Sequence, residues 1–492
     1  MTAKIKAFFS TKTLHPYLVC LFFVLSGYRK LIKVAQFKDA VFAFFILSLG
    51  SFLAYQILKK FILKDKFRTA IWLSIALIFS LFFIQIYKLG LELLHYHVFA
   101  RRIILVFVSL ILLGFLFYFI KSKKQFTSLT LFLNVVFAVY CLWEMLQISF
   151  VKAQNQAILS KISPNEVENQ AKLPNIYLLV LDGYAKSENL KKYWNFDNSP
   201  FVDSLTKQGF FNIKNSKSAY PYTIETISSI FNLGKIETVY EGGKQHDDDK
   251  EVENELLLQE KMSSPNGNLL STLRTKGYDF KNLSLFYYEG YENPFNSYNN
   301  LLNFYKEMSI LDPLLKYYGA MSSKETTEQF EMLDQIAANS QHEKPFFLYL
   351  HSMKTHSPFF LDENGNFSYS IKNNNFSIQE WWQYFENNDK SKPIDKAILA
   401  RYEVWKKAYL NHIRSSTRET IASISVILKN DPTAIICLMS DHGFRHLNEN
   451  DAKINFQEKY ENIEFVYFPD KNYQNLNDSL NSTEIIKRIL EK

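Results

Sequence analysis

The sequence predicts a chain of two parts, a helical membrane domain followed by an α/β domain built on buried parallel strands. Two observations carry this reading. Five apolar stretches separated by basic joints fill residues 1–150, and after them short apolar runs alternate with helical patterns, two of the runs ending in acidic residues. At 492 residues the chain exceeds one ordinary domain. Its mean hydropathy of −0.13 averages over a sharp split. Residues 1–150 hold 18 of the 56 Lys and Arg and 4 of the 49 Asp and Glu, a balance of +14 against −7 for the remainder. The basic character belongs to the membrane part, so nucleic-acid binding is not what it serves. Cys20, Cys141 and Cys437 lie far apart in apolar segments. They read as buried small hydrophobes, not as a disulfide or zinc framework.

The apolar stretches run 14–28, 40–58, 69–87, 103–120 and 128–150. Crossing the ~30 Å hydrocarbon layer takes about 20 residues. Four stretches approach that length, and the first does so only if it begins near Phe8. It has no small-residue cleavage site, so it reads as an anchor and not as a removed signal. With the N-terminus inside, the cytoplasmic joints carry 11 Lys and Arg and the opposite side 7, which favours that orientation. Five spans then place everything after residue 150 outside the cytoplasm. Glu144, near the outer end of the last span, falls at the interface. Residues 151–173 form a polar, partly helical juxtamembrane linker, and 174–492 form the second domain.

That domain opens on 175–182, NIYLLVLD, a β-favouring apolar run ending in Asp182 and followed by Gly183. Ligands of α/β sheets gather at the carboxyl ends of such strands. A helix follows over 197–209, with Pro200 in its first turn and Gly209 closing it. A short strand occupies 210–215. Ile224, Ile227, Ile230 and Phe231 then recur at helical spacing, so a helix starts at Thr223, after Pro221, and stops near Gly234. Residues 242–260 are acidic and polar, with His246 ahead of three Asp, and read as a solvated loop. A helix over 267–276, a strand over 279–286, an aromatic-rich lid or wall over 287–318 and a helix over 326–339 come next. The run 345–350, PFFLYL, is another buried strand, leading into His351 and His356. A long helix over 394–428 precedes the strand 434–439, AIICLM, which ends in Ser440, Asp441, His442 and Gly443. A strand over 465–468 and a helix over 483–492 complete the chain.

Two strands that deliver Asp182 and the pair Asp441–His442 to one sheet edge suit a divalent metal. Either Asp alone reads equally well as a cap or turn residue. Thr223 opens a helix, where unpaired N–H groups and the dipole suit a phosphate-like group. A hydroxyl there, beside a metal, can lose its proton and attack phosphorus. The same position also suits an ordinary helix cap. Thr226 lies a turn inside. His351 and His356, just past a strand end, fall on the same edge, with His356 the better placed in its His-Ser-Pro-Phe turn. Arg445 suits a substrate phosphate, and His446 a leaving group or a second metal.

Four segments, PNIYLLVLDGYA (174–185), AYPYTIETISSIFNL (219–233), FLYLHSMKTHSPF (347–359) and SDHGFR (440–445), together carry a resemblance. In this order, behind five spans, they resemble the alkaline phosphatase superfamily in its sulfatase-like membrane branch. That branch includes lipoteichoic acid synthases and phosphoethanolamine transferases. The resemblance implies an α/β/α sandwich around a mixed, mostly parallel sheet. It implies a metal shell of Asp182, Thr223, Asp441 and His442, with Thr223 as nucleophile and His356 as the substrate-side histidine, and Mn or Zn, or else Mg or Ca, as the ion. The chain departs from the formylglycine sulfatases, which place Cys or Ser two residues before a Pro and Arg two after it. No proline here has that Arg, and no Cys is near the site. An Asp with a His four residues on, ahead of the Asp-His pair, is also absent, so one tight metal is expected. The implied activity moves a phosphate-linked head group from a lipid onto a cell-envelope lipid or glycan through phospho-Thr223. A phosphoester or sulfatase-like hydrolase would use the same centre with water as acceptor. The complete set Asp182, Thr223, Asp441 and His442 argues against a catalytically dead relative.

Overall fold

A computed structural model describes residues 3–32, 35–83, 100–122, 124, 126–161, 173–236, 268–288, 291, 294–295, 323–339, 344–368, 370–371, 395–444, 446–448, 453–454 and 457–492. The acidic loop 242–260, most of the aromatic-rich segment 287–318, and Arg445 lie outside the described residues. The described chain falls into two compact units, one within Met1–Ala157 and the other drawn from Ile158–Tyr298 and Gly319–Lys492.

The first unit is helical: α1 Ala3–Thr11, α2 His15–Lys30, α3 Phe37–Ile57, α4 Lys66–Leu81, α5 Ala100–Lys121 and α6 Thr127–Lys161. Helix α3 runs on through a π turn, Leu58–Leu63, and stops at Lys64 in the left-handed conformation, φ 55°. Two apolar runs among the described residues, Phe37–Leu63 and Thr127–Gln154, are long enough to cross a bilayer, and Val106–Lys121 is a shorter one. Helices α2 and α4 have 16 residues each, below the length of about 20 that a span needs. Among the described residues, two of the five expected spans, the second and the fifth, are therefore long and apolar enough to cross, and the end of the third lies outside the described residues.

Large apolar side chains face outward on these helices, Phe45 62 % and Leu146 65 % exposed among them. A contiguous apolar exterior of this kind marks an interaction surface. Polar groups turn inward instead. Asn134 Nδ2 donates to the carbonyls of Phe9 and Lys12 while its Oδ1 accepts from the Leu14 amide, so one side chain joins the end of α1 to the start of α2. Glu144 is not a lone carboxylate, for its Oε2 takes the Arg29 Nε–H at 2.6 Å.

The second unit is a mixed sheet between two helical layers. Its elements are β1 Ile176–Leu181, α7 Ser187–Trp194, α8 Ser199–Lys207, β2 Phe211–Asn212, α9 Thr223–Phe231, α10 Asn268–Thr275, β3 Asp279–Leu283, α11 Ser323–Ala338 and β4 Phe346–Ser352. After these come α12 Lys396–Asn430, β5 Ile435–Met439, the small hairpin β6 Leu447–Asn448 and β7 Lys453–Ile454, β8 Glu464–Tyr467 and α13 Ser482–Glu491. The strand order is β2-β8-β5-β1-β4-β3, with β8 antiparallel to both neighbours and β5, β1, β4 and β3 parallel.

Every residue of β1 is buried, because the strand is covered on both faces, and this is why it reads as an unbroken apolar run and not as an alternating one. Tyr177, Leu179 and Leu181 pack beneath α7, α8, α11 and α12. Ile176, Leu178 and Val180 pack on α9, α10 and α13. The register pairs Val180 with both His351 and Met439, so the strand ends that carry Asp182, His351 and Asp441 reach one edge together. Strand β4 is longer at its carboxyl end than the apolar run PFFLYL, and His351 lies inside it instead of past it. Helix α7, which no sequence pattern announced, fills the space after the first turn. The three cysteines are buried and free.

Candidate active site

Asp182 follows β1 directly and is completely buried. Its Oδ2 accepts from Thr223 Oγ1 at 3.0 Å and lies 3.2 Å from His351 Nε2. Its Oδ1 is buried with no hydrogen-bond partner. Gly183 comes next at φ 59°, a conformation costly for a side chain, although a Cβ there would only touch Phe444 and the His442 ring at ordinary contact distance. The left-handed turn lets the Gly183 amide donate to Asp441 Oδ1 at 2.9 Å, which also accepts from the His442 amide at 2.9 Å. Asp441 Oδ2 is thereby left buried and without a hydrogen bond.

His442 Nδ1–H donates to the Gly443 carbonyl at 2.7 Å, which leaves the lone pair on Nε2. That nitrogen lies 3.3 Å from Thr223 Oγ1 and 3.5 Å from Asp441 Oδ2. Burial, helped by the charge of Lys459 and opposed by Asp441, holds the ring below the usual histidine range. It is neutral, as a metal ligand must be. Gly443 admits no side chain, since a Cβ would meet the carbonyl oxygens of Glu458 and Glu461 at 2.1 and 2.3 Å.

Thr223 is the first residue of α9, and Tyr222 is its N-cap, with no side-chain cap bond. The Thr223 hydroxyl turns to Asp182 and His442 instead of capping the helix. Thr226 serves elsewhere, donating to the Tyr220 carbonyl at 3.1 Å and so bracing the turn before Thr223.

His351 is fully buried, with Nδ1 2.8 Å from the Tyr349 hydroxyl and Nε2 on Asp182. Tyr349 O–H donating to Nδ1 leaves Nε2–H for the carboxylate. Burial pushes the Asp182 carboxyl up, but the nearby His356 and the hydrogen bond from His351 outweigh it and hold the group below the usual carboxylate range. His356 is exposed, in the turn after the 3-10 segment Met353–Thr355. The His446 ring packs instead among Tyr193, Trp194 and Tyr402. The structure thus gathers Asp182, Thr223, His351, Asp441 and His442, sets His356 at their margin, and puts His446 in an aromatic box.

Asp182, Asp441 and His442 each offer a ligand atom within 4.8 Å of the others, the group among the described residues suited to an ion. Two buried carboxylate oxygens without partners are costly in a protein interior. A divalent cation answers both, held by two carboxylates, an imidazole nitrogen and a hydroxyl. Residues without sequence signals complete the site. Thr355 Oγ1 donates to the Asp182 carbonyl, and Asn462 Nδ2 donates to the Ser440 carbonyl. Both act across long sequence separations, where no local pattern points to them.

The Sulfatase family model matches residues 174–491. No curated protein matches. Solved structures similar to this chain include the C-terminal periplasmic domain of EcEptC from Escherichia coli, at 12 % identity and TM-score 0.38, covering 65 % of this chain and 82 % of that one. The periplasmic domain of phosphoethanolamine transferase EptC from Campylobacter jejuni has 14 % identity and TM-score 0.33, covering 66 % and 91 %. The integral membrane lipooligosaccharide phosphoethanolamine transferase A from Neisseria meningitidis has 14 % identity and TM-score 0.34, covering 95 % and 88 %.

Proposed function

The chain belongs to the sulfatase family, and from that membership we propose that it is a membrane-anchored transferase. It moves a phosphate-linked head group from a lipid to a cell-envelope lipid or glycan through a phospho-Thr223 intermediate. The observation that carries the reading is the Thr223 hydroxyl, at the head of α9, 3.0 Å from Asp182 Oδ2 and 3.3 Å from His442 Nε2. A sulfatase in the narrow sense would need an oxidised Cys or Ser in that place, and this chain has a threonine.

Asp182, Asp441, His442 and Thr223 would hold the divalent ion, which when bound lowers the pKa of a neighbouring hydroxyl and offsets charge on phosphate oxygens. The amides at the start of α9 bind the remaining phosphate oxygens. In the first half-reaction Thr223 Oγ forms a bond to phosphorus as the bond to the lipid alcohol breaks. The proton that Thr223 gives up is the one the departing alcohol takes up, and Asp182 stays ionised throughout. In the second, an acceptor hydroxyl attacks phosphorus as the Thr223–phosphorus bond breaks, and the proton the acceptor gives up returns to Thr223. The scheme gives His356 the substrate side and, from its place in the sequence alone, gives Arg445 a substrate phosphate.

The membrane part is read as five spans within 1–150, joined by the linker 151–173 to a catalytic domain, 174–492, outside the cytoplasm. The outward apolar faces of α3 and α6 and the 11-to-7 basic bias support it. Reporter fusions after Lys124 and Lys172 should give opposite sidedness, and equal sidedness would refute the topology. For the activity, the full chain is incubated with head-group-labelled phospholipids and envelope glycan or lipid. Label on the acceptor is the expected result. Release to water would make the chain a hydrolase, and no loss of label from the lipid would end both readings.

A further inference from the structure

We propose that Tyr409 and His412, on one face of α12, are positioning residues that hold the site's separate loops in register, Tyr409 fixing the two that carry Asp182 and Asp441–His442. The phenol of Tyr409 is used twice. It donates to the Gly183 carbonyl at 3.1 Å and accepts from the Ala185 amide at 3.0 Å, closing the turn that follows Asp182. Its ring stacks on Phe444, two residues past His442, with centroids 4.2 Å apart and planes 19° from parallel. One side chain therefore grips both loops, and the Gly183 amide ties them again through Asp441 Oδ1.

His412, three residues on and on the same helical face, treats the third loop likewise. Its Nε2 accepts from the Phe360 and Leu361 amides at 2.9 and 3.0 Å, and its Nδ1–H donates to the Lys354 carbonyl at 2.5 Å. Both nitrogens are spoken for, so the ring must be neutral with its proton on Nδ1, and burial lowers it to about 4. Between those contacts lies His356. Thr417, further along α12, adds a bond to the first loop, its Oγ1 2.7 Å from the Tyr184 hydroxyl. A ligand set works only if its atoms are held to about 0.5 Å. The loops bond one another directly at a few points, and the 35-residue helix behind them supplies the common frame.

The inference rests on the metal reading above, and its test separates the two. Zinc is titrated into the metal-free full chain in detergent, for wild type, Tyr409→Phe and the control Ile424→Val, which thins packing on α12 away from the loops. Tyr409→Phe keeps the ring and loses the hydroxyl, and it should weaken zinc binding at least tenfold while Ile424→Val stays within twofold. A loss under threefold for Tyr409→Phe, with a lowered unfolding midpoint, would show a merely structural role and overturn the proposal. If Tyr409→Phe does not fold, Phe444→Leu removes the stack alone, and a wild-type affinity there overturns it equally. Amide exchange of the metal-free proteins is read in parallel. Tyr409→Phe should speed exchange at Gly183 and His442 as well as at Ala185, and unchanged rates at Gly183 and His442 contradict the proposal whatever zinc does. A wild type that binds no zinc, with exchange responding as expected, fails the metal reading and leaves the positioning role standing.

Discussion

The central sheet buries aspartates at both of its edges, and the two edges treat them differently. At the amino edge of β1 and β5, Asp431 Oδ2 accepts from Asn175 Nδ2 at 2.7 Å and from the Tyr177 hydroxyl at 3.1 Å, and its Oδ1 accepts from Thr433 Oγ1 at 3.3 Å. At the carboxyl edge, Asp182 Oδ1 and Asp441 Oδ2 accept nothing. Both edges are equally dry, so burial does not distinguish them. Unspent acceptor capacity does, because a buried carboxylate oxygen without a donor persists only where something else answers its charge.

A fourth carboxylate sharpens the contrast. Glu464, on β8, takes bonds from Asn462 and Ser482 on Oε1 and has an unpartnered Oε2. Burial raises it to about 7, against the hydrogen bonds of Ser482, Asn462 and Ser216. Its spare oxygen is answered by a proton. Asp182, ringed by histidines, is held the other way, low and charged. Opposite shifts at equal burial separate a group built to stay ionised from one that does not have to.

The largest effect is expected at the carboxyl edge. Asp441→Asn keeps the oxygen that receives the Gly183 and His442 amides and removes the negative charge. Turnover should fall about 1,000-fold or more, about 4 kcal/mol of activation free energy. Metal measured by elemental analysis should be lost while the unfolding midpoint barely moves, and full metal retention would break the distinction between the edges.

Asp431→Ala is the mirror experiment. It strands Asn175 and Tyr177 without an acceptor and should cost roughly 3 kcal/mol in urea unfolding, with metal content unchanged. A metal loss there would blur the two edges.

Glu464→Gln bears on the proton. The native carboxyl is raised above its unfolded value of 4.5 to about 7, so its contribution to stability is whole below 4.5 and is lost as pH climbs through 7. By linkage that slope is worth up to roughly 3 kcal/mol. The variant should unfold with a flatter pH dependence between those values, and an undiminished slope would place the proton elsewhere.

Much of this arrangement was legible beforehand, for identifiable reasons. Strands β1 and β5 are bounded apolar runs ending in acidic residues, and α9 shows its period in Ile224, Ile227, Ile230 and Phe231. Their ends, and hence Asp182, Thr223 and Asp441, could be read locally. Whether Thr223 caps or reacts could not, because both roles ask for a hydroxyl at a helix start. Only the backbone of Tyr222, which takes the N-cap position, and the direction of the hydroxyl separate them. His351 was legible as a residue of the edge but not as the buried partner of Asp182, since β4 runs two residues past its apolar core. Tyr409 and His412 were silent. Tyr409 lies 226 positions from Gly183, and an aromatic on a long amphipathic helix gives no sign of what its hydroxyl reaches.

The central claim is that the hydroxyl at the head of α9 attacks phosphorus, and trapping the covalent species tests it most directly. The full chain is loaded with donor lipid, quenched in acid and digested, and the peptide holding Thr223 and Thr226 is sequenced by mass spectrometry. The account predicts a phosphate-containing adduct on Thr223, its disappearance together with turnover in Thr223→Ala, and its survival in Thr226→Ala, which should lose only about 1 kcal/mol of stability with its bond to Tyr220. An active Thr223→Ala protein, or an adduct on Thr226 alone, would contradict it.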